Sequence, residues 1–289
     1  MEINEIASLD NRGFVEISGE EAKDFLQNIV TNDIEKITES FTIFSSIFTP
    51  QGKYLYEFFI SKINDKYLLE CEKEVVLDII KTLNVYKLRS KVDLIDVSKQ
   101  YSSFAVNLET FKEINKKQNI KSLVMFVDPR NQNLGAKIIT NIEHIENIIK
   151  NYNLKKIDKK KYYEKSFSLG IPQINLSKLK DKIFGIENNL DELGGIDFKK
   201  GCYIGQENTS RIKLRNKLRK RILPIQKISG EIKENDIIKY GNNEVGKIMI
   251  DKPYPFGLIK IADPKFKEFI NTELECGNSK IKILKPGWI

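Results

Sequence analysis

The sequence predicts an α+β protein, with two mixed units followed by a small all-β barrel or sandwich. Three observations lead there. In the first two-thirds of the chain, apolar residues recur at helical spacing in some segments and at strand spacing in others. These segments run in a strand-and-helix rhythm that occurs twice, as in two α+β units facing one another. From Arg211 onward, short apolar runs alternate with turn residues. At 289 residues the chain is too long for one ordinary small domain. We place the units at 1–95, 96–205 and 206–289.

In order along the chain, Ser18 and Glu21 have the spacing of a capping box. Ala22, Phe25, Leu26 and Ile29 behind them mark one face of a helix that stops near Thr31-Asn32-Asp33. Two aromatic-rich strands follow, Phe41 to Phe48 and Tyr54 to Ile60, with Pro50-Gln51-Gly52 as their hairpin turn. A short strand from Tyr67 to Glu70 precedes a second amphipathic helix built on Val76, Ile79, Ile80, Leu83 and Tyr86. It ends near Arg89, whose charge suits a helix C-terminus. The rhythm resumes with strands at Val92–Val97, Phe104–Asn107 and Leu123–Val127, and helices near Ile142–Lys150 and Lys160–Phe167. Beyond Arg211 the β segments are Ile222–Ile225, Asp236–Tyr240, Val245–Ile250, Leu258–Ile261 and Ile281–Leu284. Asn242-Asn243 and Gly246 signal turns or bulges, and three prolines keep the pieces short.

Composition narrows the chemistry. A content of 40% hydrophobic and 30% charged residues is globular, and a net charge of +8 points to anionic partners only where it is clustered. Cys71, Cys202 and Cys276 are scattered and odd in number. They match neither a disulfide framework nor zinc-ligand spacing, which implies a reducing, cytoplasmic setting and no resident metal. The single histidine, His144, lies in a helical, Glu- and Ile-rich stretch, so Ser-His-Asp, Cys-His and multi-histidine metal mechanisms are disfavoured. No apolar run is long enough to span a bilayer, and Met1-Glu2 opens no signal or transit pattern.

The most informative stretch is Lys199-Lys200-Gly201-Cys202-Tyr203-Ile204-Gly205-Gln206-Glu207. Adjacent ammonium groups favour a thiolate, and glycines allow close backbone approach. An inert turn cysteine is the competing reading, weakened because burying two ammonium groups beside it is costly. Downstream, Arg211-Ile212-Lys213-Leu214-Arg215 alternates basic and apolar residues, which on a strand puts three cations on one face. That face is either an anion site (a polyglutamate tail, phosphate or RNA backbone) or a charged edge strand. Asp128-Pro129-Arg130 with Asn131 and Gly135 reads only as a turn after a strand. In Glu187-Asn188-Asn189, an asparagine can cap a short helix, while Glu187 can alternatively offer its carboxylate to a heterocycle bearing two N–H donors.

Leu190-Asp191-Glu192-Leu193-Gly194-Gly195-Ile196-Asp197-Phe198, running into Lys199–Glu207, resembles the signature of the YgfZ family, folate-binding proteins related to the T-protein of the glycine cleavage system. Phe25-Leu26-Gln27, Thr31-Asn32-Asp33, Pro50-Gln51-Gly52-Lys53, Tyr86–Val92 and Gly170-Ile171-Pro172 agree with it in order. The resemblance implies a T-protein-like ring of three domains with folate, a tetrahydrofolate or derivative, in the central hole. It implies a monomer without membrane attachment that supports assembly or repair of iron–sulfur clusters in client enzymes, including tRNA-modifying ones, through contacts with client or assembly proteins. Lys200 and Cys202 match the family's functionally important pair, with Gly201, Tyr203, Gly205, Gln206 and Glu207 completing the motif. Arg12 and Tyr162 fall where some members carry folate-contacting tryptophans, and only Tyr162 keeps an aromatic face. The aspartate pair central to aminomethyl transfer in the T-protein corresponds to Tyr56-Glu57, and a phenol cannot stand in for a carboxylate at neutral pH. Two rivals remain: a folate-dependent one-carbon transferase using another acid such as Glu57, and a tRNA-binding module using Arg211, Lys213 and Arg215.

Overall fold

The structure is a computed structural model and describes residues 1–117 and 123–289. Its strands and helices, in chain order, are β1 (Glu5–Ser8), β2 (Arg12–Ser18), α1 (Ala22–Ile29), β3 (Ile43–Phe48), β4 (Tyr54–Ile63), β5 (Lys66–Glu72), α2 (Val76–Lys87), β6 (Asp93–Asp96), β7 (Tyr101–Val106), α3 (Leu108–Lys117), β8 (Leu123–Val127), β9 (Ala136–Asn141), α4 (Ile145–Asn151), β10 (Lys155–Ile157), α5 (Lys160–Ser168) and α6 (Gln206–Leu214). The barrel region follows with β11 (Lys220–Ser229), β12 (Ile237–Tyr240), β13 (Asn243–Ile250), β14 (Phe256–Lys260), α7 (Phe266–Phe269), β15 (Glu273–Cys276) and β16 (Ser279–Ile283). The α+β class with a C-terminal barrel is the one the sequence predicts.

Two compact units emerge from the contacts. One comprises Met1–Ile47, Tyr56–Tyr163 and Leu193–Ile204; the other comprises Phe48–Leu55, Glu164–Glu192 and Gly205–Ile289.

The first unit holds most of two five-stranded sheets, ordered β3-β4-β5-β2-β6 and β10-β1-β7-β9-β8. Strand β1 is separated from β2 by a short turn yet pairs with β7 and β10 of the other sheet. Helix α1 buries Ala22, Phe25, Leu26 and Ile29, the face read from the sequence. Each large apolar side chain so buried contributes roughly 1.5–3 kcal/mol. The capping box does not form. Ser18 closes β2, and the Glu21 carboxylate accepts the backbone N–H of Lys91 at 2.6 Å. Helix α2 buries Val76, Ile79 and Leu83 and ends at Leu88, which takes a positive φ of 46°. Under the second sheet, Ile6, Val106, Ile114, Ile138 and Ile148 form the core against α3 and α4.

In the second unit, β11, β14, β13, β12, β15 and β16 close into a six-stranded barrel, with β11 pairing to both β14 and β16. Leu223, Ile225, Ile238, Ile248, Ile259 and Phe269 fill it. Strand β15 was not legible, because its two inward residues, Leu274 and Cys276, alternate with glutamates over only four positions. Helix α5 runs on into this unit, where Phe167 packs edge-on against Phe256 with ring centroids 5.6 Å apart. The indole N–H of Trp288 donates to the carbonyl of Leu169 at 2.8 Å.

Candidate functional site

The first half of the cysteine motif is docked on the end of α1. A helix leaves its last carbonyls without intrahelical partners, and they carry partial negative charge. Here the Lys200 ammonium donates to the carbonyls of Gln27 (2.7 Å), Val30 (2.7 Å) and Asn32 (3.0 Å). Thr31 Oγ1 donates to Gly195 O at 2.6 Å, and Asn32 Nδ2 donates to Gly194 O at 2.8 Å. The N–H groups of Asp197 and Ile204 donate to the carbonyls of Thr31 and Asn28. Thus Thr31-Asn32-Asp33, read from sequence only as a helix stop, is the cradle for a loop some 165 residues away (Asn32 to Asp197).

Charge completes this dock. Burial pushes the Lys200 ammonium down to about 8, against the opposing pull of Asp33 and Asp197. The Tyr203 ring lies 5.3 Å from the Lys200 nitrogen, and burial raises the Tyr203 phenol. Burial also pushes the Asp197 carboxyl up, but the Lys36 ammonium and the N–H of Lys199 outweigh it and hold the group below its usual range. The expectation that both lysines serve the thiol is therefore revised for Lys200, whose ammonium is committed to three carbonyls. Lys199 is exposed.

The second half of the motif is docked on the β3–β4 hairpin tip. Gly205 takes a φ of +82°, and a Cβ there would lie 2.4 Å from the Thr49 carbonyl oxygen and 2.8 Å from Phe48 Cβ. Asn208 Nδ2 donates to the Gln51 carbonyl at 2.8 Å, and Gly185 N donates to Gly52 O at 3.0 Å. The Pro50-Gln51-Gly52 turn is thus both a hairpin and a seat for the start of α6. Gln206 and Glu207 open that helix, where Glu207 pairs with Arg211. Nearby, Asn188 lies inside a short 3-10 turn and Asn189 at its end, so neither asparagine opens a helix; the Glu187 carboxylate instead accepts the Phe184 N–H at 2.9 Å, and burial raises its pKa.

Directly after Lys200 in the chain, Gly201 and Cys202 are exposed, and a Cβ on Gly201 would meet no atom within 4 Å. The other two thiols are buried, and burial pushes Cys71 up to about 12 and Cys276 to about 11. Cys202 is thus the one thiol of the three open to a macromolecule. Among the described residues, no group of three or more His, Cys, Asp or Glu could hold a metal ion. Nor is any helix long and apolar enough to cross a membrane.

Arg12 and Tyr162 lie instead in a buried polar cluster of the first unit. Arg12 Nε is 3.1 Å from Glu70 Oε1, and its Nη2 donates to the Glu70 carbonyl at 3.2 Å. Lys137, from the other sheet, pairs with the same carboxylate. Arg130 donates to both oxygens of Asp128 and reaches the Tyr162 hydroxyl at 3.4 Å. The Phe59 ring is approached by both cations, Arg130 and Lys137, each 4.6 Å from its centroid. Burial pulls Lys137 down to about 8 although Glu70 opposes it, and holds up Glu70 less strongly than Lys137 and Arg12 lower it. Sequence reading missed Glu70, Arg130 and Lys137; the available signals were charged residues inside the apolar strands of β5 and β9 and the arginine directly after Asp128-Pro129.

The basic segment needs a correction. Arg211 to Leu214 belong to helix α6, not to a strand, so Arg211, Lys213 and Arg215 do not share a face by twofold alternation. Arg211 pairs with Glu207 and Lys213 with Asp191, while Arg215 is exposed at the helix end.

No family model matches the chain. Its sequence is 28% identical over 233 residues to the mitochondrial iron-sulfur cluster assembly factor IBA57 homolog of Neurospora crassa, covering 76% of this chain and 53% of that protein. The corresponding protein of Dictyostelium discoideum is 26% identical over 254 residues, covering 76% and 62%, and that of Mycosarcoma maydis 27% over 236 residues, covering 76% and 56%. The chain therefore spans a little over half the length of these curated relatives. In structure, it is similar to the glycine cleavage system aminomethyltransferase T from Bartonella henselae, with a TM-score of 0.73 over 98% of this chain and 86% of that one. Sequence identity there is 9%, so this likeness speaks for the fold alone. The chain thus has an aminomethyltransferase-type fold and sequence relatives among iron–sulfur cluster assembly factors.

Proposed function

We propose that this protein is an accessory factor for iron–sulfur cluster assembly or repair that uses Cys202 as a transient ligand for cluster iron. The observation that carries the reading is the exposed thiol of Cys202 two residues after the docked Lys200, on a chain whose sequence relatives are named as assembly factors. Thiolate is the form that ligates iron, and a [2Fe–2S] or [4Fe–4S] cluster is held by four such ligands. Cys202 supplies one. The others come from the protein that delivers or receives the cluster, so the cluster is cargo shared across an interface. Lys200 acts through the loop: it holds the segment that presents the sulfur.

Tetrahydrofolate is the proposed small-molecule ligand, on the strength of the fold. Tyr162 keeps the aromatic ring a stacking role asks for, but that ring is buried and packs edge-on against Tyr163, so it offers no open face to a pterin. Arg12 does not fit a contact to an anionic folate tail, because its guanidinium is spent on Glu70. Tetrahydrofolate carries one-carbon units, and in this reading the chain's own part is to bind it. Tyr56, buried where the transferase needs a carboxylate, weighs against aminomethyl transfer. The proposed clients include tRNA-modifying enzymes, and the proposed setting is a cytoplasmic monomer.

Two experiments test these halves separately. In cells carrying Cys202→Ala in place of the native protein, iron–sulfur enzyme activity should fall under oxidative stress while the variant's abundance and circular dichroism stay unchanged; activity equal to wild type overturns the ligand role. A calorimetric titration of the purified chain with tetrahydrofolate should saturate, and a flat isotherm removes the folate half.

A further inference from the structure

Residues 211–221 contain seven Lys or Arg and no Asp or Glu, in a chain whose net charge is +8. Outside this segment, Lys and Arg nearly equal Asp and Glu in number. The fold sorts these cations. Arg211, Lys213 and Arg221 pair with Glu207, Asp191 and Glu192. Lys220 acts on the Glu187 carboxyl. Arg215, Lys217 and Arg219 are exposed and, among the described residues, have no carboxylate partner. The turn carrying them is built: Asn216 adopts a φ of +48°, and the N–H groups of Arg215, Asn216 and Lys217 donate to the carbonyls of Arg211, Lys213 and Ile212. In its midst Leu214 is 85% exposed.

We propose that this turn is a docking surface for an acidic protein segment, with Leu214 inserting into an apolar spot between the partner's carboxylates. Charge complementarity selects the anion, and the leucine selects its class. Phosphate backbones use the cations and leave an apolar tip idle. Single-stranded RNA is held by stacking on aromatic rings, and none lies between Tyr203 and Tyr240. A bilayer surface calls for a broad apolar face, which one leucine does not provide. A charged rim around one apolar contact is instead the composition of a steered, transient protein interface. The inference rests on the distribution of charge, independently of the cluster-assembly reading.

The test is binding of the full-length chain to four probes: a labelled peptide of glutamates interspersed with leucines, the same peptide with serine for leucine, bulk tRNA, and phosphatidylcholine–phosphatidylserine vesicles. The leucine-bearing peptide should bind best. The triple change Arg215→Glu, Lys217→Glu, Arg219→Glu should weaken it on the order of tenfold or more, and Leu214→Ser should weaken it several-fold while leaving the serine peptide's weaker binding unaltered. If charge reversal unfolds the protein, the triple glutamine variant reads the same change at smaller size. Tighter binding of tRNA or vesicles than of the peptide, or peptide binding indifferent to both the triple change and Leu214→Ser, overturns the proposal.

Discussion

Replacing Lys200 with methionine keeps an unbranched side chain and removes the ammonium that the carbonyls of Gln27, Val30 and Asn32 share. The bonds to Val30 and Asn32 are buried, and each carbonyl left without a donor there costs roughly 1–3 kcal/mol. Against this, the charge itself is held at a penalty. A proton affinity lowered from 10.5 to about 8 corresponds to about 3 kcal/mol of disfavour for the charged form. The two nearly cancel, so Lys200→Met should cost at most about 3 kcal/mol of global stability. Its effect should be local, freeing the loop that carries Cys202. The amides of Asp197 and Ile204, which bond to Thr31 and Asn28, should exchange on the order of tenfold faster in hydrogen exchange. There is also a signature in pH. Because Lys200 binds its proton less tightly when folded, the unfolded chain binds more protons between about pH 8 and 10.5, and the wild type gains stability as pH rises through that window. The gain is lost as pH falls through 8. Lys137 shifts the same way in both proteins, so the difference between wild-type and variant urea-unfolding curves isolates Lys200. Unchanged exchange at both amides, with superimposable pH dependence, refutes Lys200 as the clamp.

Three further outcomes are expected. Iodoacetamide should label Cys202 alone in the native protein and all three cysteines after denaturation, read by intact mass; early labelling of Cys71 or Cys276 contradicts their burial. Gly205→Ala should destabilise by more than about 2 kcal/mol, through positive φ and the 2.4 Å approach to Thr49 O, whereas Gly201→Ala should leave the melting temperature unchanged. Glu70→Gln leaves Arg12 and Lys137 buried without their shared carboxylate and should cost roughly 3–5 kcal/mol in urea unfolding; a loss below about 1 kcal/mol would show that this cluster does not tie the two sheets together.

Much of this fold can be read from periodicity because its helices bury one stripe each. Phe25, Leu26 and Ile29 announce α1, and Val76, Ile79 and Leu83 announce α2. Strands buried on both faces are harder. In β5 the inward and outward residues are equally hidden, so Glu70 looks like a misplaced charge until Arg12 and Lys137 converge on it from 58 and 67 residues away. Alternation misled at Arg211–Arg215, where twofold spacing fits a strand but hydrogen bonding from Gly205 onward makes a helix. The cysteine motif stood out by composition alone. Its partners did not, because the Thr31 and Asn32 side chains bond to backbone carbonyls of the loop, which any residue supplies, and short polar residues after a helix look like an ordinary stop.

The second unit is gathered from three separate stretches of chain, Phe48–Leu55, Glu164–Glu192 and Gly205–Ile289. A recombinant piece starting at Gly205 would contain every barrel strand, yet Asn208 would lose Gln51 and Trp288 would lose Leu169. Excision would thus bare two seams that the intact polypeptide seals. The barrel is therefore not a cassette that can be moved between proteins by one cut, and a lineage that shortened this chain from the C-terminus would strip the hairpin tip of its seat along with it.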